Sequence, residues 1–448
     1  MVDISRDRTP SECTSRHGLL RKLPMRAGFL FFNFFLIVMA LYQLKPASRS
    51  FFVGELGAGM LPYAWIGTAL VMLVVISSYN RLLKRVKRLH MVLGTCLVIV
   101  VMLVGFRFGL AKANGWSVLV FYIFVDIFGV IMVEQFWSLT NSIYTTEEGR
   151  SWYGLVGTGG LAGGVLGGAF AAALIKYTPL GTADLLLTSA GVVGLVFGLT
   201  WFMGVRGGYC EEQKNVARER FGTGFRVILG SRYLALIAVL LLLAQMASQF
   251  VEYQFLSVVG NVHSNQEVRT TYLSMFFSVM GAVSIVVNLG VTPVIHRRLG
   301  TIAGLLVQPV VLALCSMVFM VQGTLLWSSI TKISDRGLNY SVTRASRELL
   351  YVPIDPTLIF KAKAWIDMFG YRMFKVLGAV IILVFTQWLP VTVSVPGMSM
   401  FTIVTCLLWT GLILALRPDY LLYTKRVEKG IKGRAVGTAG EKNMAASN

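Results

Sequence analysis

Apolar residues run along this chain in blocks of about twenty, with polar and basic residues gathered between the blocks. A helix rises about 1.5 Å per residue, so roughly 20 apolar residues cross the hydrocarbon layer of a bilayer, where a helix satisfies all of its own backbone hydrogen bonds. Blocks of this length lie near residues 25–44, 60–79, 91–110, 117–143, 153–176 and 184–205, and again near 233–259, 272–295, 301–321, 325–350, 364–390 and 397–416. The pattern predicts an all-α membrane protein of about twelve transmembrane helices. A polar, charge-rich stretch at 206–232 divides them into two six-helix halves, 25–205 and 233–416, preceded by a segment 1–24 and followed by a tail 417–448. The tenth block is the least apolar, because it holds Lys332, Asp335, Arg336, Arg344, Arg347 and Glu348.

The polar connections carry a topology of their own, since Lys and Arg are retained on the cytoplasmic side. The loop 80–90 holds Arg81, Lys84, Arg85, Lys87 and Arg88, and the central stretch holds Arg206, Lys214, Arg218, Arg220, Arg226 and Arg232. Arg297 and Arg298, and then Lys361 and Lys363, follow on the same side, whereas the alternate connections 322–324 and 391–396 have no Lys or Arg. Both termini and the central loop are therefore expected in the cytoplasm. The first apolar block is long enough to span and no small-residue cleavage site follows it, so it reads as a retained helix and not as a signal peptide. The tail is polar, basic and rich in Gly and Ala, a composition that predicts disorder.

Composition agrees with a membrane as solvent: 55% of residues are hydrophobic, 14% are charged and the mean hydropathy is +0.69. The formal net charge of +20 would suggest a nucleic-acid partner in a soluble domain, but its basic residues sit in the connections and read as topology signals. The expected partner is the lipid bilayer, with no nucleic acid. Five cysteines lie far apart without a CxxC pair and four histidines are scattered, so neither a metal site nor a cofactor is expected. No nucleophile, base and orienting group fall together, which argues against an enzyme.

Charges inside the spans cost free energy and mark candidate function. They are Arg49 in the first helix, Asp126 and Glu134 in the fourth, Glu252 in the seventh, and Asp367, Arg372 and Lys375 in the eleventh. Helical spacing groups them into stripes: Gln245, Gln249 and Glu252; Asp367, Tyr371 and Lys375; and Lys332, Arg336, Asn339, Thr343 and Arg347. Such faces need water or partners and are expected to line a central cavity. Each charge has two readings, an inter-helix ion pair or a contact with substrate or proton; Arg49 has a third, snorkelling to the interface. Glu134, Asp367, Lys332, Arg336 and Arg347 are candidates for coupling or gating. The sequence GTGGLAGGVLGG in the fifth helix lacks the Lys-Ser/Thr and preceding strand of a phosphate-binding loop. Its ladders, Gly159, Gly163 and Gly167 beside Gly160, Gly164 and Gly168, predict close helix packing.

Four stretches carry a family likeness. RELLYVPIDPTLIFKAKAWIDMFGYRMFKVLGA at 347–379 resembles the KEMAYIPLD and KGKAAID signature of the bacterial and plastid nucleotide transporters, the ATP/ADP antiporter or TLC family, with its major facilitator-like layout. FYIFVDIFGVIMVEQFWSLTNSIYTTEEGRSWYGLVGTGG at 121–160, YQLKPASRSFFV at 42–53 and FVEYQF at 250–255 extend it. The resemblance implies a secondary transporter that exchanges a small phosphorylated or otherwise anionic metabolite across a bacterial inner membrane by alternating access. It places the family's two basic and two acidic membrane residues at Arg49, Asp126, Glu252 and Lys375, with Arg372 as a further anion contact. Here Arg replaces the family's usual Lys at the first position and Asp its usual Glu at the second. The alternative is a proton-coupled carrier of an amphiphile, a peptide-like compound or a drug, in which the acids take protons.

Overall fold

The computed structural model describes residues 23–82, 85–110, 114–144, 146–206, 221–354, 358, 362–363, 365–366, 370–390 and 393–445. Its membrane helices, in chain order, are α1 (Leu23–Glu55), α2 (Leu61–Leu82), α3 (Arg88–Gly109), α4 (Gly115–Ile143), α5 (Thr146–Tyr177) and α6 (Leu185–Val205). They continue with α7 (Arg232–Val262), α8 (Gln266–Arg298), α9 (Gly300–Gln322), α10 (residues 325–351), α11 (Tyr371–Trp388) and α12 (Ser399–Ala445). Among the described residues, 11 helices are long and apolar enough to cross a membrane. The remaining rod is α10, whose six charged side chains break the apolar window while its backbone stays helical.

Several boundaries differ from those the apolar blocks suggest. Helix α1 runs on through Lys45 and Pro46 to Glu55, because the polar groups that interrupt the pattern there are buried against partners. Pro46 lacks the N–H that would bond the Tyr42 carbonyl, a loss that membrane helices absorb through neighbouring contacts. The central stretch contains a short helix, Phe221–Leu229; residues 207–220 and the leader 1–22 lie outside the described residues. Helix α12 continues past residue 416 to Ala445, where composition alone suggested disorder.

The chain divides into two compact units, Met1–Ala217 with Leu256–Ala282, and Arg218–Phe255 with Val283–Asn448. The division departs from the two sequence halves in one segment: the end of α7 and the start of α8 belong with the first six helices. The reason is a set of polar ties. Glu267 accepts from the Thr182 backbone N–H at 2.8 Å and from its hydroxyl at 2.7 Å. Arg269, 3% exposed, donates to the Ser50 carbonyl at 3.1 Å and to the His263 carbonyl at 2.9 Å.

In the first unit α1 is the central element and packs on α4, α5 and α6. Gly159 and Gly167 face backbone carbonyls of α1: a Cβ on Gly167 would lie 2.6 Å from the Met39 oxygen, and one on Gly159 2.5 Å from that of Phe31. Gly163 meets Phe35 and Met39 in the same way. The second ladder is turned toward rings and a different helix, with Gly160 under Phe34, Gly164 against Tyr42 and Gly168 against the Ser274 carbonyl of α8. With no apolar driving force between helices in lipid, such contact plus inter-helix hydrogen bonds holds the bundle. Asn33 donates to Thr200 at 2.8 Å and Thr188 donates to Gln43 at 2.9 Å.

In the second unit the core gathers Tyr233, Ile237 and Leu241 of α7 with Leu305, Leu350, Ile366, Trp409 and Ile413. The Tyr233 hydroxyl donates to the Leu350 carbonyl at 2.9 Å, and Gln254 donates to Ser399 at 2.8 Å. Three helices of this unit contain a π segment: Val287–Val291 in α8, Asn339–Thr343 in α10 and Val384–Trp388 in α11. The first two pack on each other. In α8 the Val287 carbonyl accepts both the Thr292 backbone N–H of the wide turn and the Thr292 hydroxyl, the latter at 3.1 Å.

Candidate functional site

Helix α1 places Arg49 against α4 within the first unit. Its Nη2 donates to Asp126 Oδ1 at 2.5 Å, its Nη1 donates to Ser48 Oγ at 2.9 Å, and its guanidinium lies 4.5 Å from the Tyr122 ring centre. Tyr122 is fixed in turn by the indole N–H of Trp65, which donates to its hydroxyl at 2.9 Å. The Arg49 and Asp126 side chains are 5% and 15% exposed, so Arg49 does not snorkel. One turn earlier on the same helix face, the Lys45 ammonium sits 5.8 Å from the Tyr42 ring and 5.4 Å from the Phe277 ring. An ammonium over ring faces is attracted by their quadrupoles. Lys45 was absent from the charges singled out in the sequence, although its i, i+4 spacing to Arg49 points to it. Glu134 is exposed, while its neighbour Gln135 turns inward and donates to Thr95 at 2.8 Å.

Within the second unit, helix α10 carries a denser cluster. The Lys332 ammonium pairs with the Glu252 carboxylate of α7 and lies 3.6 Å from Asp335 Oδ2 one turn along its own helix. Arg336 Nε approaches the same oxygen at 3.5 Å. The Ser248 hydroxyl donates to Asp335 Oδ1 at 2.6 Å, and Gln308 Nε2 donates to the Asp335 carbonyl at 3.1 Å. Lys332 is 1% exposed and Asp335 is fully buried. Two acids and two bases cancel formally, the condition under which charges survive away from water. Asp335 is the member that sequence reasoning passed over as a site; its signal was the i, i+3 step from Lys332.

Helix α11 holds Arg372 and Lys375, both half-buried. At its start the Tyr371 hydroxyl accepts from Arg347 Nη1 at 2.9 Å, tying α11 to the end of α10, where Lys363 also donates to Glu348 at 2.7 Å. One turn beyond Lys375, Gly378 leaves space that the amide of Gln249 occupies. Asp367 lies outside the described residues. Among the described residues no group of three or more His, Cys, Asp or Glu is placed to hold a metal ion. The structure thus brings together Arg49 with Asp126, and Glu252 with Lys332, Asp335 and Arg336.

Comparison with known proteins adds the lineage. The sequence profile described as TLC ATP/ADP transporter matches residues 85–185, 207–325 and 324–420. Similar proteins include ADP,ATP carrier protein 4 of Rickettsia conorii, 23% identical over 355 residues that cover 68% of each chain. ADP,ATP carrier protein 1 of Rickettsia prowazekii is 24% identical over 368 residues, covering 72% of this chain and 73% of its own. Among solved structures, a bacterial homologue of the iron transporter ferroportin in an inward-facing state superposes with a TM-score of 0.63 at 12% identity, covering 89% of this chain and 99% of that one. A mutant of the nucleoside transporter NupG gives 0.58 at 12% identity with the same coverage. At that identity the likeness establishes a major facilitator-type fold.

Proposed function

This chain belongs to the TLC ATP/ADP transporter family, and on that premise we propose that it exchanges a phosphorylated, nucleotide-type anion across the bacterial inner membrane, with both termini in the cytoplasm. It is a multi-pass secondary transporter and not an enzyme. The observation that carries the reading is the ion pair of Arg49 with Asp126, 5% and 15% exposed, two residues that the sequence resemblance assigns to the family's charged positions. A base neutralised by its own acid is stable without substrate, yet available to an anion that competes for it. In the first unit phosphate oxygens take the place of carboxylate oxygens on Arg49; in the second unit Lys375 and Arg372 are the proposed anion-binding side chains and Glu252 the acid that balances them.

The test is exchange by the purified protein in liposomes. Uptake of labelled ATP is expected to require internal ADP, to survive a protonophore, and to be lost in Glu252→Gln with insertion intact. Lys375→Ala is expected to weaken nucleotide binding by about 1.5–3 kcal/mol, roughly tenfold or more, the range for a hydrogen bond to a charged group, and Lys375→Arg to retain part of it. One observation favours a second reading, a proton-coupled carrier of another solute: Glu252 of α7 and Asp335 of α10 meet at Lys332, with Arg336 beside Asp335, and carboxylates set among charges inside a membrane bundle are the groups that coupling protons use. Uptake that needs no internal substrate and collapses with the protonophore selects it.

A further inference from the structure

Gln249 occupies a position that its chemistry does not explain by packing alone. It is 3% exposed, on the α7 stripe, one turn before Glu252 and next to Ser248, whose hydroxyl holds Asp335. Among the described residues neither its Nε2 nor its Oε1 has a hydrogen-bond partner. Buried side-chain amides are otherwise partnered in folded proteins, because the lost hydration is not recovered. Gly378 of α11 lies against it: a Cβ there would come 2.7 Å from Gln249 Oε1, and Gly378 lies one turn from Lys375. An unbranched apolar side chain such as Met fills the same space without stranding two polar atoms. The amide is therefore a cost to the fold that only another use offsets.

We infer that Gln249 is a substrate-recognition residue, whose amide pairs with an uncharged edge of the substrate presenting a donor beside an acceptor, as nucleobases do. The inference rests on the reading of this protein as a nucleotide exchanger, and assigns to Gln249 the part of the substrate that the charged residues do not address. Side-chain amides make such paired contacts with adenine because N–H and C=O lie side by side in one plane. Lys375, Arg372 and Lys332, by contrast, offer only donors and suit phosphate.

The variant Q249M separates this role from a structural one. Thermal unfolding of the purified full-length protein is followed without ligand, and with ATP, ADP or inorganic pyrophosphate, which carries the charge but no base. The midpoint of Q249M without ligand is expected at or above that of the unmodified protein, since a buried unpaired amide has been replaced by an apolar group of like shape. ATP and ADP affinity, read from the midpoint shift, is expected to fall tenfold or more, with pyrophosphate binding unchanged. A Q249M protein that unfolds earlier without ligand overturns the inference, because the amide then serves the fold. So does Q249M with the ATP shift of the unmodified protein. If the unmodified protein shows no shift with any nucleotide, it is the exchanger reading that fails, and Q249M is not needed to see it.

Discussion

Removing either member of the Arg49–Asp126 pair leaves a charge in a site that is 5% and 15% exposed. Breaking a buried pair this way typically costs about 3–5 kcal/mol, far more than the pair is worth against an apolar replacement. Arg49→Ala and Asp126→Ala are each expected to lower folded stability strongly, and the double mutant to recover much of the loss, as measured by chemical denaturation in detergent. Additive losses would show that the two side chains do not depend on each other. The exposed pair Lys363–Glu348 gives the contrast, and Glu348→Ala is expected to change stability by about 1 kcal/mol or less. At this scale the sequence showed which residues are costly in lipid, because the cost belongs to the side chain. It did not show who partners whom. That Lys332 meets Glu252 depends on how α7 and α10 are rotated, and that Asp335 joins them depends on burial no spacing rule reports. Gln249 was legible as a member of a stripe, but not as an amide without a protein partner.

Between helices, the glycines of α5 set how closely α1 approaches. Gly167→Leu is expected to drive α1 and α5 apart, since even a Cβ there would sit 2.6 Å from a backbone oxygen that has no rotamer to yield. Overpacking of this kind costs about 1–3 kcal/mol or more, and transport is expected to fall with it. Gly154→Ala on the same helix meets nothing within 4 Å and is expected to be neutral, or stabilising by up to about 1 kcal/mol through helix propensity. Comparing the unfolding midpoints and exchange rates of the two variants checks both. The four-residue spacing made the ladders readable, because helix geometry fixes which residues share a face. The partner helix was not readable, and neither was the true end of α1. Lys45 and Pro46 look like a terminus in the sequence, but the Tyr42 and Phe277 rings and the neighbouring helices accommodate them within the rod.

Across the whole molecule, reporter fusions inserted in 207–220 are expected to give a cytoplasmic signal, following the Lys/Arg asymmetry of the connections. A signal from the opposite side would overturn the orientation proposed for both termini. The twelve-helix plan was legible because spanning length and apolar content are set by the bilayer; α10 was the marginal case because it carries Lys332 and Asp335 buried inside protein and further charges, Arg344 and Glu348 among them, exposed toward its end. The membership of Leu256–Ala282 in the first unit was not legible, since it follows from the Glu267 and Arg269 contacts and not from any break in hydropathy. The π segments of α8, α10 and α11 reach further than local geometry. Each widens one turn by a residue, so side chains beyond it are offset by about 100° from where an unbroken α-helix would put them. Their counterparts six helices earlier, α2, α4 and α5, are α-helical throughout their described residues. If the two halves descend from one duplicated ancestor, aligning them without gaps loses phase at each of these turns, and a one-residue gap at Val287–Val291, Asn339–Thr343 and Val384–Trp388 restores it.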